Sequence, residues 1–273
     1  MSAASATAAP RLPLGWTRLP VWVRKGILLV ALVGVWEAYV ALSHINHLLF
    51  ASPWQTLHAF ANGWADGSLA GPTWTTLRIL LEAFGIGLGV ALGFTVLATL
   101  SALGTDLLEL LTAVFNPLPG VVVLPLAMLW FGIDTNAIVF TVAFATVWPI
   151  AINMSMGFRT VSPTVIAVGR TIGLSRLRVV TDVLVPAALP HAVAGLKTAW
   201  AFGWRTMIAS ELVFGVAGSK GGLGNYINNA RLFFLTPRIF AGLVTIAILG
   251  VVFESVFGIA ERATVVRWGM KHS

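Results

Sequence analysis

Long apolar blocks separated by short polar or basic stretches dominate the chain. A hydrocarbon core of about 30 Å needs about 20 mainly apolar residues per helix. About six blocks meet that requirement: residues 26–42, 77–103, 107–131, 137–158, 187–216 and 239–260. Glu37 interrupts the first, and Lys197, Arg205 and Glu211 sit inside the fifth. The pattern predicts an all-α integral membrane protein with a transmembrane domain over 26–268. A cytoplasmic arm at 1–25 precedes it and a tail at 269–273 follows.

Composition agrees. Of 273 residues, 58% are hydrophobic and 10% charged, whereas a soluble domain carries about 25% charged residues. A soluble enzyme, a disordered regulator and a secreted disulfide scaffold are excluded. The absence of cysteine removes thiolate metal sites and thiol nucleophiles. A net charge of +7 would suggest nucleic acid in a soluble chain. Here the basic residues report orientation instead, because Lys and Arg near span ends stay in the cytoplasm. Arg11, Arg18, Arg24 and Lys25 precede the first span, and Arg159, Arg170, Arg176 and Arg178 follow the fourth. Arg262, Arg267 and Lys271 close the chain. The opposite side holds only Lys220, Arg231 and Arg238, so both termini are expected in the cytoplasm. The first block exceeds the apolar core of a signal peptide and reads as an uncleaved anchor.

The loop at 160–186 is the most informative stretch. Ser162-Pro163 is a good helix start and Gly173 a natural stop, giving a helix of two to three turns over 164–172. Ser175 can cap a second helix running through Arg176 and Arg178 toward Pro186. Such a loop either lies on anionic lipid or docks a soluble partner.

The loop resembles one in the permease subunits of ATP-binding-cassette importers. Their pattern is Glu-Ala-Ala, three residues, Gly, nine residues, then Ile-x-Leu-Pro. Here it reads Ala167-Val168-Gly169, three residues, Gly173, nine residues, Val183-Leu184-Val185-Pro186. Ala167 replaces the glutamate, so a contact needing a carboxylate there is missing. From about residue 50 to 268 the chain is similar to the nitrate, sulfonate and taurine branch. Pro117-Leu118-Pro119, Leu124-Pro125-Leu126 and the run Leu129-Trp130-Phe131-Gly132-Ile133 carry that likeness. Thr76-Leu77-Arg78, Ala187-Ala188-Leu189-Pro190, Ala209-Ser210-Glu211, Gly222-Leu223-Gly224 and Glu261-Arg262 add to it.

The resemblance implies a fold like that of type I importer permeases, with a coupling helix between spans four and five. Ala167, Val168, Gly169, Gly173, Leu174, Ser175, Arg176 and Pro186 would then contact an ATPase. It also implies two cytoplasmic ATPase subunits, an extracytoplasmic solute-binding protein and a permease homodimer in a bacterial inner membrane. Relatives in this branch handle nitrate, sulfonates, taurine, bicarbonate or vitamin precursors, with selectivity set mainly by the binding protein. The chain lacks a Gly-x4-Gly-Lys-Ser/Thr phosphate loop. ATP and Mg are therefore expected on the partner, with no cofactor on this chain.

Within the spans, Gly85, Gly89 and Gly93 form a small-residue stripe suited to helix packing. Pro117, Pro119 and Pro125 kink span three. Charges in a span face protein or water. Glu82 is expected to pair with Arg78, and Lys197 to snorkel or line a path. Asn153, Trp204, Arg205 and Glu211 are candidates for a translocation pathway suited to an anion. His44 and His47 have metal-like spacing but no third ligand, and Trp54 with His58 reads as interfacial, so no metal site is expected. A membrane enzyme would need a catalytic cluster at one depth, and none is visible. An ion-driven transporter working alone would favour internal repeats, and copurification with an ATPase would separate the importer permease from both of these.

Overall fold

The computed structural model describes residues 19–43, 46, 48–214 and 221–263, and His44, His47 and Lys220 lie outside them. The described residues are helical, with no strand. Four helices are long and apolar enough to cross a membrane: α1 (Val21–Leu42), α3 (Ala70–Leu100), α6 (Thr135–Arg159) and α12 (Thr236–Glu261). The expected third span is not one helix. It divides into α4 (Ala102–Phe115) and, after a turn of 3-10 helix at Gly120–Val123, α5 (Leu124–Phe131), with a 93° bend between the halves. Pro117 and Pro119 have no N–H to continue α4. Pro125, by contrast, sits in the first turn of α5 and starts that helix rather than kinking it.

The fifth block forms α10 (Leu189–Phe214), 26 residues long. Its three charged residues keep it from being apolar all round, which a span covered by protein need not be. With the bent pair counted as one, five spans meet the length and apolarity a membrane requires, and α10 is the block of the expected six that does not. Short helices cap the end away from Arg159: α2 (Pro53–Ala65), started by a Ser52/Gln55 capping box, and α11 (Leu223–Leu232). At the opposite end, the 160–186 loop forms α7 (Pro163–Thr171), α8 (Arg176–Val179), a π-helical turn at Val180–Leu184 and α9 (Val185–Ala187).

The core is built around α6, which is buried along most of its length against α3 and α10. Leu80, Leu124, Val142, Met207 and Leu223 fill the half near α2 and α11. Trp148, Ile150, Met154, Leu184 and Ala199 fill the half near the loop, where Phe115 stacks on Trp148 at 5.2 Å. The α6–α10 seam is close because glycines line it. A Cβ at Gly195 would lie 2.7 Å from Asn153 Cβ, and one at Gly157 would lie 2.8 Å from the Cβ atoms of Ala188 and His191. In contrast α1 buries only Val40, and α1, α3 and α12 turn rows of Leu, Val and Ile outward. On α3, the expected stripe is uncovered: a Cβ at Gly85, Gly89 or Gly93 would meet nothing within 4 Å. The intrachain close approach is at Gly87, whose Cβ would lie 2.0 Å from Thr146 Oγ1.

Candidate functional site

The first cluster lies where α3, α10 and α11 meet. Glu211 is 3% exposed, and its carboxylate accepts from the Thr76 hydroxyl at 2.9 Å and from the Gly224 N–H at 2.8 Å. Thr76 Oγ1 in turn accepts the Leu223 N–H at 2.8 Å. First-turn amides of a helix have no intrahelical acceptor and carry the positive end of its dipole. A carboxylate there satisfies both demands. The glycines are required by contact, since a Cβ at Gly222 would lie 1.8 Å from Glu211 Oε1 and one at Gly224 2.5 Å from Glu211 Cβ. Three sequence fragments far apart in the chain thus form one joint. The Glu211 carboxylate, expected on a pathway, is here occupied in packing three elements together.

Two other pathway candidates are also packed. Trp204 is 9% exposed, with its ring 6.0 Å from Phe253. Asn153 donates to the Pro149 carbonyl at 2.8 Å and packs on Gly195. Lys197 forms an ion pair with Glu254 of α12 at 2.6 Å rather than snorkelling or standing free. Arg78 and Glu82 are both exposed, and no ion pair joins them.

Arg205 is different. It is exposed, and no hydrogen bond or ion pair joins it to another described residue. It lies nine residues inside the outer end of α10, roughly 13 Å along the axis, too deep to reach an interface easily. The break in the third span lies beside it: a Cβ at Gly120 would come within 2.6 Å of Thr206 Oγ1. Irregular backbone at membrane depth must be covered by protein or line water, and so must an unpaired guanidinium.

In the 160–186 loop, Ser162 Oγ accepts from Thr164 N–H and Ser175 Oγ from Arg178 N–H, each at 3.3 Å. Gly173 has φ +86°. The Leu174 N–H closes back on the Gly169 carbonyl at 3.1 Å, the bond that marks a glycine-terminated helix end. Gly169 is buried, and a Cβ there would sit 3.5 Å from Leu174 Cδ1 and 3.7 Å from Val183 Cγ2. It is a packing position rather than an exposed contact. Ala167, Ser175 and Pro186 are exposed, Leu174 half-buried, and the side chain of Arg176 lies outside the described residues. Val165 and Val168 on α7, with Ile172 just past its end, form an exposed apolar edge. Sequence reasoning missed Val165 and Ile172, although their spacing with Val168 at one helical face was visible. It also missed the π-helical turn. Pro186 cannot donate to the Asp182 carbonyl, and widening the preceding turn moves that carbonyl off its ring. Arg159 at the end of α6 pairs with Glu109 of α4 above this loop.

Residues 85–266 match the family of binding-protein-dependent transport system inner membrane components. The chain belongs to that family. The taurine transport system permease protein TauC of Escherichia coli K12 is 30% identical over 83% of this chain and 82% of its own. The putative aliphatic sulfonates transport permease protein SsuC of the same organism is 30% identical over 88% and 89%. The riboflavin transport system permease protein RibX of Chloroflexus aurantiacus is 33% identical over 89% and 88%. In structure, an amino acid ABC transporter crystallised with histidines matches at TM-score 0.57 and 18% identity, over 75% of this chain and 98% of that one. MetNI, a methionine ABC transporter, matches at 0.52 and 18%, over 77% and 93%.

The permease is therefore a transport subunit rather than an enzyme. The all-α fold expected from the apolar blocks is that of an ABC importer permease. Such permeases work with an ATPase and a solute-binding protein. The glutamate of the loop pattern has become Ala167, exposed on α7 beside the apolar edge, so this permease presents a methyl group where the pattern has a carboxylate.

Proposed function

We propose that the permease forms an inward path for a small anion of the sulfonate class, with Arg205 as the cation that the solute meets. The observation that carries this is the unpartnered guanidinium deep in α10 beside the broken third span. The names of TauC and SsuC support a sulfonate group as what this cation meets. A second copy of the chain completes the path, covering the Arg205 face that this chain leaves open. Both termini and the 160–186 loop lie in the cytoplasm, as the eleven basic residues on that side argue. There α7, the Gly173 turn and the exposed Ala167, Val168, Ser175 and Pro186 meet separate ATPase subunits, which bind ATP and Mg. A solute-binding protein docks on the opposite face, near α2 and α11. ATP binding closes the ATPase pair and moves the loop, and the spans switch between two states with different contacts.

The test is uptake of taurine and an alkanesulfonate by the reconstituted complex. Arg205→Gln should purify in normal yield and lose at least about tenfold in uptake, the loss of one charge-assisted bond. Arg205→Lys should recover part of it. Wild-type uptake by Arg205→Gln would overturn the assignment.

A further inference from the structure

A cleft of about 710 Å³ opens on the flank of the molecule between α1, α2 and α12, away from Arg205 and from the loop. Its two ends differ in chemistry. Near α2 it is lined by Glu37, Thr56, Trp36 and Trp54. Glu37 is exposed and makes no ion pair or hydrogen bond with another described residue. Thr56 is 4% exposed, and its hydroxyl is buried without a partner. The indole N–H of Trp36 is taken by the Ala51 carbonyl at 3.1 Å, and its ring rests 5.3 Å from Phe240, which fixes this end of α1. The other end is apolar, with Val30 and Val33 of α1 facing Val244 and Ile248 of α12.

Depth orders these groups. Glu37 lies five residues from the α2 end of α1, roughly 7.5 Å, and Val30 lies twelve, roughly 18 Å. On α12, Ile248 is likewise twelve residues from Thr236. The cleft thus runs along the membrane normal from headgroup depth to the middle of the bilayer. It carries an anion and two tryptophans at the top and only aliphatic carbon below. An unpaired carboxylate at that depth is costly unless a cation meets it, and no Lys or Arg lines the cleft.

We infer that this cleft holds a phospholipid with a primary ammonium headgroup, of the phosphatidylethanolamine kind. The ammonium donates to the Glu37 carboxylate, and one acyl chain fills the cleft down to Val30 and Ile248. A trimethylammonium head cannot donate to Glu37, and an uncharged glycerol head offers it no cation. The occupant is thereby distinguished from phosphatidylcholine and phosphatidylglycerol.

The test titrates the delipidated, assembled complex with dioleoyl phosphatidylethanolamine, phosphatidylcholine and phosphatidylglycerol and counts retained lipid by native mass spectrometry. One retained ethanolamine lipid per permease, bound roughly tenfold more tightly than the glycerol lipid, is expected from one charge-assisted contact. Glu37→Gln should erase that preference while leaving chain binding. Ile248→Trp should lower retention of all three lipids by filling the cleft. Equal binding of the three by the wild-type complex, or an unchanged preference in Glu37→Gln, would overturn the inference.

Discussion

Replacing Gly173 isolates backbone conformation from packing. At φ +86° it lies in the left-handed region, and a Cβ there would meet nothing within 4 Å. No clash contributes, so the effect of a side chain is its own resistance to positive φ. That resistance is about 1 kcal/mol for alanine and about 2 kcal/mol or more for a β-branched valine. Asparagine tolerates the region better than either. The strain falls on the turn closed by Leu174 N–H and the Gly169 carbonyl, which aligns α7 with the π-helical turn. A shift of about 2 kcal/mol changes the local equilibrium roughly thirtyfold. Gly173→Val should insert normally, since no span changes, but lose solute-stimulated ATPase activity in the reconstituted complex. Gly173→Ala should be intermediate and Gly173→Asn close to wild type. Wild-type stimulation in the valine variant would refute the role of this turn. So would equal damage from asparagine and valine, because that order cannot come from backbone strain.

Other substitutions test the remaining contacts. Glu211→Ala leaves the Gly224 N–H and the Thr76 hydroxyl without their acceptor and should cost about 2–4 kcal/mol, read as a lower melting temperature of the purified permease. An unchanged melt would remove the joint from the fold's support. Gly87→Ala drives a Cβ into Thr146 Oγ1 and should destabilise, whereas Gly89→Ala meets open space and should leave the melt unchanged or raise it. A drop at position 89 would mean that another chain covers that face. In the cysteine-free background, Ala65→Cys should be labelled by an impermeant thiol reagent in intact spheroplasts and Thr164→Cys should not. The reverse result would invert the topology.

Much of the fold could be read from block length alone, because a membrane helix needs little beyond about 20 apolar residues. The break in the third span was less legible. Proline marks where a helix fails but not the angle of the chain beyond it, and that angle is set by Gly120 packing on Thr206 and Ala145. The caps of the loop were readable, because Ser162, Ser175 and Gly173 act within a few residues of themselves. Pairings across the chain were not. Nothing local distinguishes Glu211, which joins three helices, from Arg205, which joins none. The same limit applies to the glycines, where a four-residue spacing pointed to 85, 89 and 93, but the contact is made by Gly87. Spacing defines a face, and only the neighbour determines whether that face is used.

These contacts also determine how a push at the loop would travel. The loop joins the end of α6 to the start of α10, and those helices are held together by close contacts at Gly157, Gly195 and Gly203 along their shared seam. A seam packed to backbone distance resists sliding, because even a small shift drives the facing side chains into overlap. A movement of α7 therefore displaces α6 and α10 together rather than one past the other. At the far end Glu211 ties α10 to α3 and to the first turn of α11, so the displacement reaches the outer face through the same body. Arg205 rides on that body between the two ends, while α4 is attached at the loop end through the Arg159–Glu109 pair. The proline break at 116–119 lies between two attachments to that body, with α4 held through Arg159 and the Gly120 turn held against Thr206. On this geometry the cation and both halves of the broken span are carried together when the loop moves.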